Sequence, residues 1–366
     1  MKRALIVLLM LAVAGGLFAQ VTYSGGVESG ILAAFDEDGH YFYTSKADGG
    51  DKYSYSFGVD YAAPSGNVGG NLAVAGNDAN EKGWNFDGSK LWFKPLDILT
   101  LSGGSGGQEG FNTPGPMDTS NDANNMVGLN LKLEPIPGLA LGASVGPQNG
   151  LEFGDANYAF GVKFDATNLL TVVANLGLLG ATADSVDDEG ELVPGDASKV
   201  NAAAGVSVSA LSNIAGLVIA ADLAAENVAK LSDAGKVTAG LSVGFGVADL
   251  AATLKGKVAL PMVDGDELNA LLGADLSYPV GSATVGLGVG YLLSGAVGAG
   301  GKFNPGMWEA MDVDPVKLDS SKLKINPSVS FKVSEADLKI GYGLEANVGG
   351  ESKMNHEIYT GFSIGF

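Results

Sequence analysis

The chain ends His356-Glu-Ile-Tyr-Thr-Gly-Phe-Ser-Ile-Gly-Phe366, and this stretch decides how the rest is read. In an extended strand, successive side chains point to opposite faces. Ile358, Thr360, Phe362, Ile364 and Phe366 then share one face, and Glu357, Tyr359, Gly361, Ser363 and Gly365 the other. An apolar strand with an open edge invites pairing with other chains. A closed barrel has no open edge, because its last strand pairs with its first. The stretch therefore predicts a closed sheet, with the segment near Val21 as its partner.

Upstream, the same two-residue period recurs. In Val237–Val247 the apolar set is Val237, Ala239, Leu241, Val243, Phe245 and Val247, alternating with Thr238, Gly240, Ser242, Gly244 and Gly246. Leu338–Val348, Val200–Ala210, Ala283–Leu293 and Ile325–Val333 repeat the pattern. This is strand period, not helix period. Segments of about ten residues suit tilted strands that cross a bilayer.

The connections alternate in length. Short ones centre on Pro64-Ser65-Gly66, Pro95-Leu96, Pro135-Ile136-Pro137, Ala166-Thr167, Ser212-Asn213, Ala248-Asp249, Pro279-Val280-Gly281 and Ser334-Glu335-Ala336. Longer polar stretches lie between them, at 36–52, 77–83, 105–124, 148–155, 180–198, 227–234, 262–267, 295–322 and 349–355. Short turns on one rim and long loops on the other predict an all-β, antiparallel, up-and-down transmembrane barrel. Nine long loops and eight short turns give 18 strands. Sixteen is the alternative, because Tyr23–Phe35 and Trp84–Phe93 alternate poorly. Residues 214–231 read as strand or as amphipathic helix.

Composition narrows the function. The 366 residues carry a formal charge of -20, which argues against nucleic acid as a partner. There is no Cys, so disulfides and thiolate metal sites are excluded, and the two histidines, His40 and His356, lie far apart in sequence. No nucleophile–base arrangement surrounds His40, so the chain reads as a non-enzyme without cofactors. The 56 glycines follow no triplet period, which excludes collagen.

Residues 1–19 begin with Lys2 and Arg3, continue with an apolar run from Ala4 to Phe18, and end on Ala19. That is the pattern of a secretory signal peptide, leaving 20–366 as the barrel. No stretch before the first strand is left over to form a plug.

If the apolar positions face lipid, the alternate ones face the lumen. These include Lys163, Asp165, Asp222, Lys255, Lys257, Asp275, Lys324, Lys332, Lys339 and Glu345. A charged side chain on the lipid face would cost a few kcal/mol near the midplane. At 16–18 strands a barrel is too wide for side chains alone to fill, so a water-filled pore is the expectation. The acidic runs Asp184–Glu191 and Asp264–Glu267 offer oxygen ligands of the kind calcium takes, but neither has EF-hand spacing. As solvated loops they would concentrate cations at the mouth.

Tyr359-x-Gly361-x-x-Ile364-x-Phe366 resembles the C-terminal signal that bacterial outer-membrane barrels present to the β-barrel assembly machinery. The whole pattern is similar to bacterial porins. The segments Leu17-Phe-Ala-Gln20 and LWFKPLDILTLSGG, 91–104, look like porin-like barrel proteins of spirochaetes. The resemblance implies the outer membrane of a diderm bacterium, outer-membrane lipid as surroundings and a homotrimer as a possible assembly. It also implies that the third long loop, Ser105–Asn124, folds inward and places Glu109, Asp118 and Asp122 at a constriction. A loop lying outside in solvent is the alternative. The function expected is passive diffusion of small hydrophilic solutes and ions, with a modest preference for cations. Two other classes stay open: a structural or adhesive surface barrel, with the 295–322 loop as contact surface, and a barrel transporting hydrophobic ligands.

Overall fold

The computed structural model describes residues 20–36, 39–44, 53–77, 85–104, 111–116, 128–146, 156–167, 169–180, 185–186, 192–193, 198–211, 216–231, 236–260, 269–293, 321–334, 336–348 and 354–365. Nineteen hydrogen-bonded segments form one sheet. Two of them lie end to end along the first strand, so the closed barrel has 18 strands, not 16.

In chain order, β1 is Gln20–Asp36, and β2 comprises Gly39–Thr44 and Tyr53–Ala62. Then follow β3 (Val68–Asn77), β4 (Asn85–Leu96), β5 (Leu99–Gly104), β6 (Gly128–Ile136), β7 (Leu139–Gly146) and β8 (Asn157–Ala166). Next come β9 (Leu170–Leu179), β10 (Lys199–Val208), β11 (Val218–Glu226), β12 (Lys236–Val247) and β13 (Leu250–Leu260). The last are β14 (Asn269–Val280), β15 (Ala283–Leu292), β16 (Ser321–Val333), β17 (Ala336–Val348) and β18 (Met354–Gly365). Each pairs antiparallel with its sequence neighbours. Within the stretch 214–231 the described residues form a strand, β11 (Val218–Glu226), followed by a single 3-10 turn, Val228–Lys230. A separate ribbon pairs Ser185–Val186 with Leu192–Val193. The N-terminal segment 1–19 and Phe366 lie outside the described residues.

Closure is made by β18 on β1, in register from Gly26↔Gly365 to Phe35↔His356. The partner is therefore further along the chain than the segment near Val21. Tilted strands can close only if the last is displaced along the first, and this stagger moves the contact up β1. Residues 20–29 pair with the second piece of β2, and residues 31–36 with the first. The first long connection, expected at 36–52, thus contains a strand piece, and β1 turns back within two residues of Asp36.

Alternation fixes what each face carries. Along β8, Tyr158, Phe160, Val162 and Phe164 are exposed, whereas Ala159 and Gly161 are buried and Lys163 and Asp165 half-buried. Leu91 at 69%, Leu129 at 66% and Leu272 at 55% are among the apolar side chains standing free on the outer face. An apolar surface this continuous is beyond what a soluble monomer leaves in water. Next to the short turns it includes Tyr23, Phe93, Phe164, Tyr278 and Phe362, an aromatic row of the kind found at membrane interfaces. The short turns supply the left-handed backbone that tight reversal needs, as at Gly66 (φ 69) and Gly281 (φ 63). A register shift between Ala73 and Val74 explains the poor alternation of Trp84–Phe93. A bulge there inserts one residue and changes which face the following residues take.

Candidate permeation pathway

The charged side chains on the inner face come from strands all round the wall. Lys163 and Asp165 lie on β8, Asp222 on β11, Lys255 and Lys257 on β13, and Asp275 on β14. Lys324 and Lys332 lie on β16, and Lys339 and Glu345 on β17. Each alternates with an apolar or small outward neighbour. Several are paired across strands. Lys255 Nζ is 2.8 Å from Asp275 Oδ2. Glu345 is held between two lysines, with Lys322 Nζ 2.7 Å from Oε1 and Lys324 Nζ 3.2 Å from Oε2. Lys132 Nζ and Glu134 Oε1 are 3.1 Å apart on β6. Among these pairs an exposed one such as Lys132–Glu134 contributes about 0–1 kcal/mol, whereas the buried Glu345 needs its lysines to offset its desolvation. Their effect is on the field within the lumen: the described wall mixes both signs.

One part of the third long loop lies against this inner wall. Residues 111–116, Phe-Asn-Thr-Pro-Gly-Pro, cross the inner faces of β7 to β11. Phe111 is 1% exposed and packs with Ala140 of β7 and Val173 of β9. Its ring covers Gly161 of β8, where an added Cβ would lie 2.5 Å from Cδ1. Asn175 Nδ2 donates to the Phe111 carbonyl at 2.9 Å. Thr113 Oγ1 donates to Asp222 Oδ2 at 2.9 Å, with both side chains buried. Pro114 and Thr113 cover Gly205 of β10, and Gly115 lies against the Asp222 carboxylate. Two glycines and an alanine on the wall thus form a shallow seat, and two polar side chains fasten the backbone to it. Below the seat, toward the short turns, Phe111, Lys132, Glu134, Lys163 and Asp165 border a cavity of about 190 Å³. Glu109, Asp118 and Asp122 flank this segment and lie outside the described residues.

Two aromatic side chains use the same device, a ring laid over a glycine. Tyr359 of β18, 3% exposed, lies across Gly341 of β17, where an added Cβ would be 2.6 Å from Cε1. Its hydroxyl reaches past that strand and donates to Asn326 Oδ1 of β16 at 3.1 Å. Lys339 Nζ lies 5.7 Å from the Tyr359 ring centroid. Of the other residues in the C-terminal pattern, Gly361 shares the inner face with Tyr359, and Ile364 is exposed on the outer one. Trp92 of β4 lies over Gly69 of β3 and faces the lumen. Sequence alternation missed it, because Leu91-Trp92-Phe93 is an unbroken apolar run. The flanking Lys90 and Lys94, in phase with Trp92, were the available signal.

Among the described residues no group of three or more His, Cys, Asp or Glu side chains is placed to hold a metal ion.

Solved structures share this architecture. OpdL of Pseudomonas aeruginosa matches with a TM-score of 0.57 and 11% identity, over 95% of this chain and 99% of that one. The outer membrane protein OpdK from the same organism matches with a TM-score of 0.55 and 9% identity, over 95% and 99%. OccAB4 of Acinetobacter baumannii gives a TM-score of 0.55 and 10% identity, over 95% and 98%. No protein-family model and no curated protein sequence matches the chain. The likeness is therefore one of fold, and it extends along nearly the whole length of each chain.

Proposed function

We propose that this barrel is an outer-membrane porin, a channel through which small hydrophilic solutes and ions diffuse passively. The observation that carries this reading is the contrast between its two faces. An outer surface bearing Leu91, Phe93, Leu129 and Leu272 fits lipid, and an inner one bearing Lys255, Asp275, Lys324 and Glu345 fits water. Such a lumen is a poor path for hydrophobic ligands. The segment 111–116 lies where it narrows that lumen from one side. The fold shared with OpdK, an outer membrane protein, supports the same location for this chain. The reading includes removal of residues 1–19 on export, insertion by the β-barrel assembly machinery, and no catalysis. A homotrimer is its expected assembly. Liposomes carrying the purified barrel should swell in isotonic sugar at rates that fall as the sugar grows. Swelling no faster than in empty liposomes would overturn the reading.

The modest cation preference belongs to the mouth on this account. The formal charge is -20, whereas the described wall carries both signs, so the excess acid lies chiefly in the long loops. Screening acts strongly on exposed charges, with a Debye length of about 30 Å at 0.01 M salt and 3 Å at 1 M. The preference, measured by reversal potential, should therefore fade between those concentrations. If it persists at 1 M and disappears when Glu109, Asp118 and Asp122 are changed to Gln or Asn, the selecting charges lie at a constriction instead.

The C-terminal strand is proposed to serve assembly. Deleting Phe366 should lower the amount of heat-modifiable, membrane-inserted barrel several-fold and leave the conductance of the molecules that do insert unchanged. Normal amounts with altered conductance would contradict that role.

A further inference from the structure

A second recess lies near the short-turn rim, on the part of the wall formed by β1 to β4. Its cavity, about 360 Å³, is bordered by Thr22, Asp60, Asn71, Lys90 and Trp92. That is within the range of small-molecule sites. Four of these residues form one row across the sheet: Thr22 pairs with Asp60, Asp60 with Asn71, and Asn71 with Lys90. With strands about 4.8 Å apart, the row spans roughly 14 Å. It presents, in order, a hydroxyl, a carboxylate, an amide and an ammonium.

Trp92 belongs to the adjacent inner-face row, paired with Gly69 and Ser102. Its ring lies flat on the wall, because Gly69 has no side chain; an added Cβ would be 2.6 Å from Cε2. Lys94 Nζ lies over the ring, 5.4 Å from its centroid, and has to swing aside before a solute can stack there. Trp92 is the only tryptophan among the described residues.

The chemistry selects a class of ligand. A flat aromatic face takes the C–H face of a ring, and a row of polar groups takes its hydroxyls. Asp60 only accepts hydrogen bonds, Lys90 only donates, and Asn71 and Thr22 do both. A hydroxyl can answer all four. Within the row Asp60 and Lys90 balance, so neither an anion nor a cation gains from those two, and the Lys94 ammonium beside the ring disfavours a cation. We propose that this recess is a saccharide-binding subsite of the channel, with Trp92 as the stacking platform and Thr22, Asp60, Asn71 and Lys90 as the hydrogen-bonding row. The subsite rests on the porin reading for its role in transport. Its open, hydrated position favours weak binding, and conduction requires that a bound solute can leave.

Maltose added to single open channels in a planar bilayer should reduce the current saturably, and glycerol at matched viscosity should not. Trp92→Ala should raise the half-blocking concentration at least about tenfold, a change of 1.4 kcal/mol. Trp92→Phe should raise it less, since a smaller ring remains. Asp60→Asn, at an exposed position, provides a variant that keeps the wall intact and should also weaken the block. Block by maltose no greater than by glycerol, or equal block in all four proteins, overturns the subsite. Calorimetric titration of the detergent-folded barrel with maltose reads the same site without a channel. Binding that weakens in Asp60→Asn, in a barrel that does not conduct, would retain the subsite and retire the porin reading. No binding in the wild-type barrel would overturn the subsite alone.

Discussion

Phe111→Ala should turn a steady channel into a flickering one. Phe111 is the largest buried side chain of the segment that crosses the inner wall, at 1% exposure against Ala140, Gly161 and Val173. Truncating a buried Phe costs on the order of 3–5 kcal/mol. Here that cost falls on the docking of a short segment and not on the barrel, whose strands are paired independently of it. A loss of 3 kcal/mol moves the docked–undocked equilibrium by about a hundredfold. The remaining fastenings are Thr113 on Asp222 and Asn175 on the Phe111 carbonyl. Each is worth about 0.5–3 kcal/mol net, and together they oppose the entropy gained on release. Single-channel recordings should therefore show transitions between current levels that the wild type lacks. Gly161→Val should do the same from the wall side, because its Cβ would enter the ring's space. Recordings indistinguishable from wild type in both variants would mean that the segment does not narrow the path.

The second large effect is expected at the seam between the last strands. Gly341→Val should strongly reduce assembled barrel. A side chain at 341 would occupy the space of the Tyr359 ring, and both lie on strands that complete the closure. Displacing Tyr359 also takes its hydroxyl from Asn326, which is fully buried. A buried amide deprived of a partner costs about 1–3 kcal/mol, and the lost ring packing adds to it. Effects above 4–5 kcal/mol are exceptional, so a loss of about 3 kcal/mol or more would rank among the large ones. The measurement is the temperature at which the folded band is lost in a heat-modifiability series. Tyr359→Phe keeps the ring and removes only the hydroxyl, so it should shift that temperature less than Gly341→Val. Equal shifts would show that the hydrogen bond, not the ring over glycine, holds the seam.

This seam also shows how much of the molecule was legible in its sequence. The period-two pattern of Val237–Val247 and the eight short turns carried the architecture and the strand number. They do so because lipid on one side and water on the other, the surroundings proposed for this barrel, impose a binary choice at every position. Stagger was not legible. Which residue of β1 meets Gly365 depends on the tilt of all 18 strands together, and no local pattern encodes it. The seat of Phe111 was hidden for a similar reason. Nothing local distinguishes Gly161 and Gly205 from the other glycines of the strands, and only the inward fold of the segment 111–116, distant in the chain, gives them an occupant. Trp92 was masked by apolar neighbours on both sides, where a bulge had already disturbed the phase. The alternating charges were easier to place, because a charge on the lipid face is too costly to be the common solution.

The central claim is that a hydrated path runs through this barrel. It is tested most directly by inserting purified, heat-modifiable protein into a planar bilayer under a salt gradient. The account predicts discrete conductance steps and, at low salt, a reversal potential displaced modestly toward that of the cation. Protein that is folded by the heat-modifiability test yet gives no steps would contradict it.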